Sequence, residues 1–197
     1  MGGVITGGQG EILVSRSRFC SFVFPIKTLT EVKDTLNRIK RQYPDAKHIP
    51  YAYVFDATTF ADDDGEPSGT AGYPLLNLLR QANAERTLLL VVRYFGGQLL
   101  GSKRLLQAFK EAGKIAVTGT VWGRIETSTS VTLSGPLEQM GQLSRFVEET
   151  NAHIDNIHYN NKINVTLVFT RVDDEALAKL LGEGWLVVAK SAITRVV

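Results

Sequence analysis

Cysteine and histidine are scarce in this chain. Its 197 residues include one cysteine, Cys20, and three histidines, at positions 48, 153 and 158. A single cysteine excludes an internal disulfide framework and every zinc or iron–sulfur site that needs several cysteines. Three histidines provide few ligands for a metal centre. We therefore predict a protein without a bound metal or cofactor.

Long apolar runs are also missing. The longest, such as residues 88–92, span five residues, whereas a membrane-spanning helix needs roughly 20. No charged start leads into an apolar segment and a cleavage site, so no secretory signal is visible. We expect a cytoplasmic protein with no membrane partner. Residues 1–6 fit the loose pattern for N-myristoylation, but their glycines favour a flexible leader or an expression remnant.

Charge is nearly balanced over the whole chain but not along it. The net charge is +2, and hydrophobic residues make up 44%, which is enough for a packed core. Residues 1–125 carry 16 basic and 11 acidic side chains, whereas residues 126–197 carry 6 and 9. This asymmetry indicates two domains, the first with a preference for anionic partners. We place them at residues 1–122 and 123–197.

The first domain mixes helices and strands, which predicts an α+β protein. Thr28 and Glu31 have the spacing of a helix capping box, and apolar residues then recur at helical spacing as far as Tyr43. Residues 87–95 are almost wholly apolar, which is typical of a strand buried on both faces. The other predicted elements are a strand over 11–24 with a break near residue 16, a strand over 51–55, a loop over 62–74, and a helix over 102–117.

The second domain has the order β-α-β-β-α-β, which is the ferredoxin-like plan. The predicted elements are strands over 127–133, 152–159, 162–171 and 185–196, with helices over 137–150 and from Asp173 to Gly182. Asn160 and Asn161 are suited to a tight hairpin between the two middle strands.

Four carboxylates lie close together in the loop, at Asp62, Asp63, Asp64 and Glu66. They could bind a hard cation such as Mg²⁺, contact a ligand or partner directly, or form a structured turn in which the acids accept backbone N–H groups and pair with an arginine. The structured turn is the favoured interpretation. An EF-hand is excluded, because Phe60 and Ala71 would occupy its first and last positions.

Arg93 interrupts the apolar strand near its end. A guanidinium is costly to bury without an anionic partner. That partner is either an acid from residues 62–66 or a ligand phosphate, and we favour the internal pair.

A glycine-rich turn and a helix start follow the strand. Free N–H groups at such a helix start favour anions, but a P-loop is poorly supported because Ser102 precedes Lys103. Lys103, Lys110 and Lys114 fall on one helix face, which is either a phosphate-binding stripe or a plain solvated surface. The predicted anion-binding residues are Arg93, Gly96, Gly97, Ser102, Lys103, Arg104, Lys110 and Lys114.

Nucleophilic catalysis has little support. No G-x-S-x-G motif surrounds Ser68 or Ser102. Cys20 lies among apolar strand residues and fits a core position better than a reactive one. His48 stands alone at the start of a strand. We assign no catalytic residue.

Four stretches together resemble the IMPACT family, including its bacterial YigZ-like members. They are residues 17–19 (SRF), 44–48 (PDAKH), 63–74 (DDGEPSGTAGYP) and 91–101 (VVRYFGGQLLG). The family signature falls on His48 before the loop, on Asp63, Asp64, Gly65, Glu66, Gly69 and Thr70 within it, and on Arg93, Gly96, Gly97 and Gly101 after it.

The resemblance implies a fold and a cellular process. It implies a first domain similar to domain 2 of ribosomal protein S5 and a second similar to a translation-elongation-factor domain. It also implies a link to translation control and a contact with nucleic acid or the ribosome, without an established enzymatic activity. Family members have a small, glycine-containing stretch after Gly101. Here residues 102–104 are bulky and basic, which favours an anionic contact but would fill a glycine-lined pocket.

We therefore predict a non-enzymatic protein, linked to the regulation of translation, that binds RNA, the ribosome or a translation-related protein. One alternative is a Mg²⁺-dependent enzyme acting on a phosphorylated small molecule. The other is a protein-binding adaptor that uses the ferredoxin-like domain. The sequence leaves the oligomeric state open.

Overall fold

The computed structural model describes residues 2–196, with the side chain of Arg195 left out. The chain forms two compact units. The first comprises residues 2–125 together with residue 196, and the second is Glu126–Arg195. The mixture of helices and sheets agrees with the predicted α+β class.

The first unit contains three helices and a five-stranded antiparallel sheet. Its elements are β1 (Gly2–Thr6), β2 (Gln9–Val14), β3 (Ser17–Pro25), α1 (Leu29–Gln42), β4 (Tyr51–Phe55), β5 (Thr58–Asp62), α2 (Gly72–Gln81), β6 (Thr87–Tyr94), α3 (Ser102–Thr118) and the start of β7 (Val121–Gly135). The sheet order is β2-β3-β6-β4-β5. Among residues 2–196, no helix combines the length and the apolar character needed to cross a membrane.

Strand β6 lies at the centre of this unit and is buried on both faces, as predicted. Leu89 and Val91 belong to the core formed with α2 and α3. Leu88, Leu90 and Val92 belong to a second core, formed with α1. All five side chains are fully buried. The strand end that carries Arg93 is therefore held rigidly between two layers of helix.

Helix α1 begins where the capping box predicts. The Thr28 hydroxyl accepts a hydrogen bond from the backbone N–H of Glu31 (3.4 Å). The Glu31 carboxylate accepts one from the backbone N–H of Lys27 (2.8 Å), one residue before the predicted partner. The helix ends two residues before Pro44, which cannot continue it.

Two short strands of the first unit correct the predictions. Residues 2–6 are not a flexible leader, because they form β1 and pair antiparallel with the start of β7, from Gly2 opposite Arg124 onwards. The predicted loop over 62–74 is bounded more tightly than expected. Strand β5 pairs with β4 as far as Asp62, and α2 starts at Gly72.

The second unit has the predicted element order. After the end of β7 come a 3₁₀ turn (Leu137–Gln139), α4 (Met140–Thr150), β8 (His153–Tyr159), β9 (Ile163–Phe169), α5 (Asp174–Gly182) and β10 (Leu186–Val196). The strand order is β8-β9-β7-β10. Asp173 caps α5 by accepting hydrogen bonds from the N–H groups of Glu175 (3.1 Å) and Ala176 (3.0 Å). Leu133, Phe146 and Trp185 pack in its core.

Candidate functional site

An ion pair joins the end of β6 to the acidic loop. Arg93 Nη1 lies 2.5 Å from Glu66 Oε2, and the two side chains are 11% and 1% exposed. The Arg93 guanidinium also packs against the rings of Phe19 and Phe95, at 5.6 and 5.7 Å from their centroids. The prediction of an internal partner for Arg93 is confirmed, and Glu66 is the acid that supplies it.

The pair leaves hydrogen-bonding capacity unused. Glu66 Oε1 and Arg93 Nε are buried, and neither has a partner among the described residues. A buried polar atom without a partner keeps the full cost of losing water. One acceptor and one donor are thus available on the same buried pair.

Asp63 holds the acidic loop against the start of α2. Its carboxylate accepts hydrogen bonds from the backbone N–H groups of Gly69 (2.7 Å), Ala71 (2.9 Å) and Gly72 (2.8 Å). Thr70 closes the same turn by donating its hydroxyl hydrogen to the Pro67 carbonyl (2.6 Å). The loop is therefore a structured turn. Ala71, the residue before α2, has no side-chain acceptor, and Asp63 caps the start of the helix in its place.

Asp64 joins the loop to the segment before β4. Its Oδ2 accepts the backbone N–H of Ile49 (2.6 Å), and its carbonyl oxygen lies 2.6 Å from His48 Nδ1. Because a carbonyl oxygen only accepts, His48 Nδ1 carries the hydrogen of this bond. A Cβ on Gly65, whose φ is +86°, would lie 2.8 Å from the His48 ring, so glycine lets the loop approach the imidazole.

The acids of this loop are committed to protein partners. Asp62 Oδ1 accepts the N–H of Asp64 (2.8 Å), which completes the set of four carboxylates that each bond within the protein. In the portion of the chain that is described, no group of three or more His, Cys, Asp or Glu side chains is arranged to hold a metal ion. The interpretation of residues 62–66 as a structured turn is confirmed.

The glycine turn after β6 is partly used and partly open. The N–H of Gly96 donates to Ser17 Oγ (3.1 Å), so this group already has a partner. A Cβ at Gly96 would overlap the backbone of Arg16, which explains the glycine by close approach of two chain segments. Gly97 is exposed and has a φ of +83°, and open space surrounds the position that a Cβ would take. Gly96 therefore serves packing, whereas Gly97 remains accessible.

Helix α3 starts beside this turn with its first amides uncapped. Gly101 precedes the helix with a φ of +73°, and no described side chain caps the first turn. Lys103, Lys110 and Lys114 are all exposed, on the side of α3 away from its buried residues. Within residues 2–196, none of the three forms an ion pair. The structure therefore brings the predicted lysines to one solvent-facing surface.

Arg104 lies apart from this face. It is exposed and lines a shallow depression with Gln107 and Glu111, next to the β2 residues Ile12 and Val14. Ser102 and Gly101 instead line a cleft at the N-terminal end of α3. The predicted set of anion-binding residues thus divides between the lysine face, the cleft and the β2 side.

The cleft is the feature that the sequence predictions missed. It has a volume of about 430 Å³ and is lined by Lys47, His48, Gly65, Glu66, Pro67, Arg93, Phe95, Leu99, Leu100, Gly101, Ser102 and Leu105. Residues 102–104 do not fill it. Phe95 and Leu99 lie at its wall and are 53% and 88% exposed. Two large apolar residues flanking the glycine-rich turn, Phe95 and Leu99, were the sequence signal for a surface of this kind.

Cys20 is a core residue, as predicted. It is 3% exposed and belongs to the core beneath α1. Burial raises the pKa of the thiol, and the hydrogen bond from Arg18 Nε (3.2 Å) opposes this shift. A thiol with a raised pKa is protonated at neutral pH and is a poor nucleophile.

All the residues of this site lie within a domain that matches a known protein family. The family model of the Impact N-terminal domain matches residues 15–117. The chain belongs to the IMPACT family. Among its relatives, the IMPACT family member YvyE of Bacillus subtilis is 31% identical, over 89% of this chain and 82% of YvyE. YigZ of Escherichia coli is 28% identical, over 74% of each chain.

A solved structure supports the fold of this IMPACT-family chain. A crystal structure described as that of a hypothetical protein aligns with a TM-score of 0.69 and 25% sequence identity. The alignment covers 94% of this chain and 95% of that one. Both units therefore have counterparts in a known structure.

Proposed function

We propose that this protein acts in the control of translation as a non-enzymatic protein that binds RNA or an RNA surface of the ribosome. The first unit makes the contact, and the exposed face of α3 holds the phosphates. Membership of the IMPACT family supports the link to translation, which the sequence resemblance also implies. The observation that carries the RNA contact is the set of three exposed lysines on α3, none of which forms an ion pair with another described residue.

The charge and spacing of these lysines suit a phosphate backbone. Lys103, Lys110 and Lys114 lie seven and four residues apart, so they follow one another along one side of the helix. A cation that neutralises a phosphate releases a condensed counterion, which makes the affinity depend on salt. The uncapped first turn of α3 adds N–H groups and the positive end of the helix dipole next to Lys103.

The architecture we propose agrees with this role. We assign residues 1–122 to a domain similar to domain 2 of ribosomal protein S5 and residues 123–197 to a ferredoxin-like domain. The β-α-β-β-α-β order of the second unit and its strand order β8-β9-β7-β10 support the second assignment. The first assignment rests on the family resemblance and on the mixed sheet-and-helix layers of the first unit.

Photocrosslinking tests the proposed contact surface. A short single-stranded RNA containing 4-thiouridine is irradiated with the full chain, and the crosslinked peptides are identified by mass spectrometry. Crosslinks within residues 95–114 are expected. Crosslinks restricted to the second unit, or an RNA that is not retained at all, would contradict the proposal.

A protein-binding adaptor is the second candidate, and one observation favours it. Leu186, Val187 and Val188 are exposed in succession on β10. Purified ribosomes separate the two candidates when tested with full-length variants. An adaptor loses ribosome binding in Val188→Asp and keeps it when the three α3 lysines become glutamine, whereas the RNA-binding proposal predicts the reverse.

The alternative of a Mg²⁺-dependent enzyme is disfavoured, because the four carboxylates it would use already bond within the loop and to Arg93.

A further inference from the structure

We propose that the cleft at the N-terminal end of α3 receives one unpaired nucleobase of the bound RNA, with a requirement for a base edge on which a hydrogen-bond donor lies next to an acceptor. This inference rests on the proposed function. It specifies where a base of the bound RNA lies while the lysines of α3 hold the phosphates. The cleft volume of about 430 Å³ falls within the range of small-ligand sites.

The wall of the cleft offers a stacking surface. Phe95 is 53% exposed although the Arg93 guanidinium lies 5.7 Å from its ring centroid. Leu99 is 88% exposed on the same cleft. Exposed apolar side chains that lie together beside polar residues mark a ligand-binding surface. Aromatic side chains beside a basic surface are the usual platform for bases of single-stranded RNA.

The buried ion pair supplies an edge that a base can read. Glu66 lines the cleft, and its Oε1 is an acceptor without a partner, while Arg93 Nε is a donor without a partner. An amino group next to a ring nitrogen presents the complementary donor and acceptor, as in cytosine, and so does the ring N–H next to a carbonyl in uracil. Because both atoms are covered in the free protein, we expect the Glu66 side chain to turn slightly when the base enters.

The neighbouring charges suit the phosphates on either side of that base. Gly101 and Ser102 bring the uncapped start of α3 to the cleft, and Lys103 follows in its first turn. Lys47 lines the cleft from the segment before β4. The carboxylate of Glu66 is neutralised by Arg93, so it does not repel a phosphate as a free charge would.

The test compares oligocytidylate, oligo-3-methyluridylate and an abasic ribose-phosphate strand of the same length, measured by fluorescence anisotropy with the full chain. Because 3-methyluridine has no donor on this edge, we expect oligocytidylate to bind at least fivefold tighter than oligo-3-methyluridylate and the abasic strand to bind weakest. Phe95→Ala and Leu99→Ala should each weaken oligocytidylate binding about fivefold or more and leave the abasic strand unaffected. Phe60→Ala is the matched control, since Phe60 is another exposed phenylalanine, located on β5.

The outcomes separate this inference from the proposed function. If all three strands bind equally, and only the lysine variants weaken them, RNA binding stands and the base cleft is wrong. If the native protein binds none of the strands, both proposals fail. Glu66→Gln should abolish the discrimination against 3-methyluridine. Because that variant disturbs a buried pair, the exposed Phe95 and Leu99 variants decide the matter if it fails to fold.

Free nucleotides give one further outcome. Binding of cytidine monophosphate that is as tight as that of oligocytidylate would overturn the assignment to an RNA strand. A protein that binds the cleft and is lost in Phe95→Ala, with RNA affinity unchanged, would also overturn it.

Discussion

Arg93 Nη1 and Glu66 Oε2 are 2.5 Å apart, and this contact fixes the acidic loop to the end of the central strand. Glu66 follows a turn that Asp63 and Asp64 already hold in place, and Arg93 extends from a strand buried on both faces. Two rigid parts of the first unit thus meet in a single buried pair. The same pair forms one wall of the cleft at the start of α3.

Removing one member of the pair should strongly destabilise the protein. Glu66→Leu or Arg93→Met leaves the other group buried without its partner, which costs about 3–5 kcal/mol. The double variant Glu66→Leu with Arg93→Met should cost clearly less than the sum of the two single changes. Urea unfolding followed by circular dichroism gives the three values. Single variants that each change the free energy of unfolding by under about 1 kcal/mol would contradict the structural role.

Asp63 should be the carboxylate of the loop on which stability depends most. Asp63→Ala removes three hydrogen bonds to backbone N–H groups, including that of the first residue of α2. Hydrogen bonds to a charged group and helix caps together predict a loss of about 2–4 kcal/mol in the free energy of unfolding. Asp45→Ala serves as the control, because Asp45 is exposed, and its effect should stay within about 0.5 kcal/mol. Equal effects of the two substitutions in thermal unfolding would show that the loop does not need Asp63.

The hairpin between β2 and β3 stores backbone strain that a substitution can relieve. Ser15 and Arg16 have φ values of 46° and 66°, which Asn and Gly adopt more easily. Ser15→Asn combined with Arg16→Gly should stabilise the protein by about 1 kcal/mol. Gly97→Ala, at a φ of +83°, should lower the free energy of unfolding by about 1 kcal/mol. The melting temperatures of the two variants should therefore move apart, and a lower melting temperature for the hairpin variant would refute the argument.

Stability should fall at alkaline pH, in part through Cys20. Burial raises the pKa of its thiol above that of the unfolded chain, so the native state holds the proton more tightly. This contribution is complete below the pKa of a free thiol, about 8.5, and is lost as the pH rises through the higher native value. The pKa of Tyr51 is also raised by burial and acts in the same direction at higher pH. Urea midpoints between neutral pH and pH ~10 should fall less steeply in Cys20→Ala than in the native chain, whereas identical slopes would exclude the thiol.

Local patterns predicted the elements whose signals lie within a few residues. The Thr28 and Glu31 pair marked the start of α1, and the continuous apolar segment marked β6 as a central strand. β1 was missed because its partner lies in β7, about 120 residues further along the chain. That pairing, the hydrogen bonds of Gly2 with Asn83 and Glu85, and the burial of Val4 give the glycine-rich start its ordered conformation. β5 was missed for a related reason, since its sequence, TTFAD, carries little alternation of its own.

The candidate site was predicted in its parts but not in its arrangement. The charge of Arg93 within an apolar strand indicated an anionic partner, either an acid from residues 62–66 or a ligand phosphate, and favoured the acid. The sequence could not select Glu66, because the choice depends on the fold of the turn around Asp63. The contact between His48 and Asp64 and the apolar cleft also arise from segments that meet only in the folded chain.

The salt dependence of RNA binding tests the central claim most directly. The affinity of the native chain for a single-stranded RNA is measured at several salt concentrations. The measurement is repeated with Lys103, Lys110 and Lys114 changed to glutamine, and with the control Lys33→Gln, Lys40→Gln and Arg41→Gln on α1. If α3 holds three phosphates, its variant should lower the slope of log affinity against log salt by about two units. The α1 control, with the same change in charge, should leave the slope unchanged. Equal slopes in all three proteins would contradict the account.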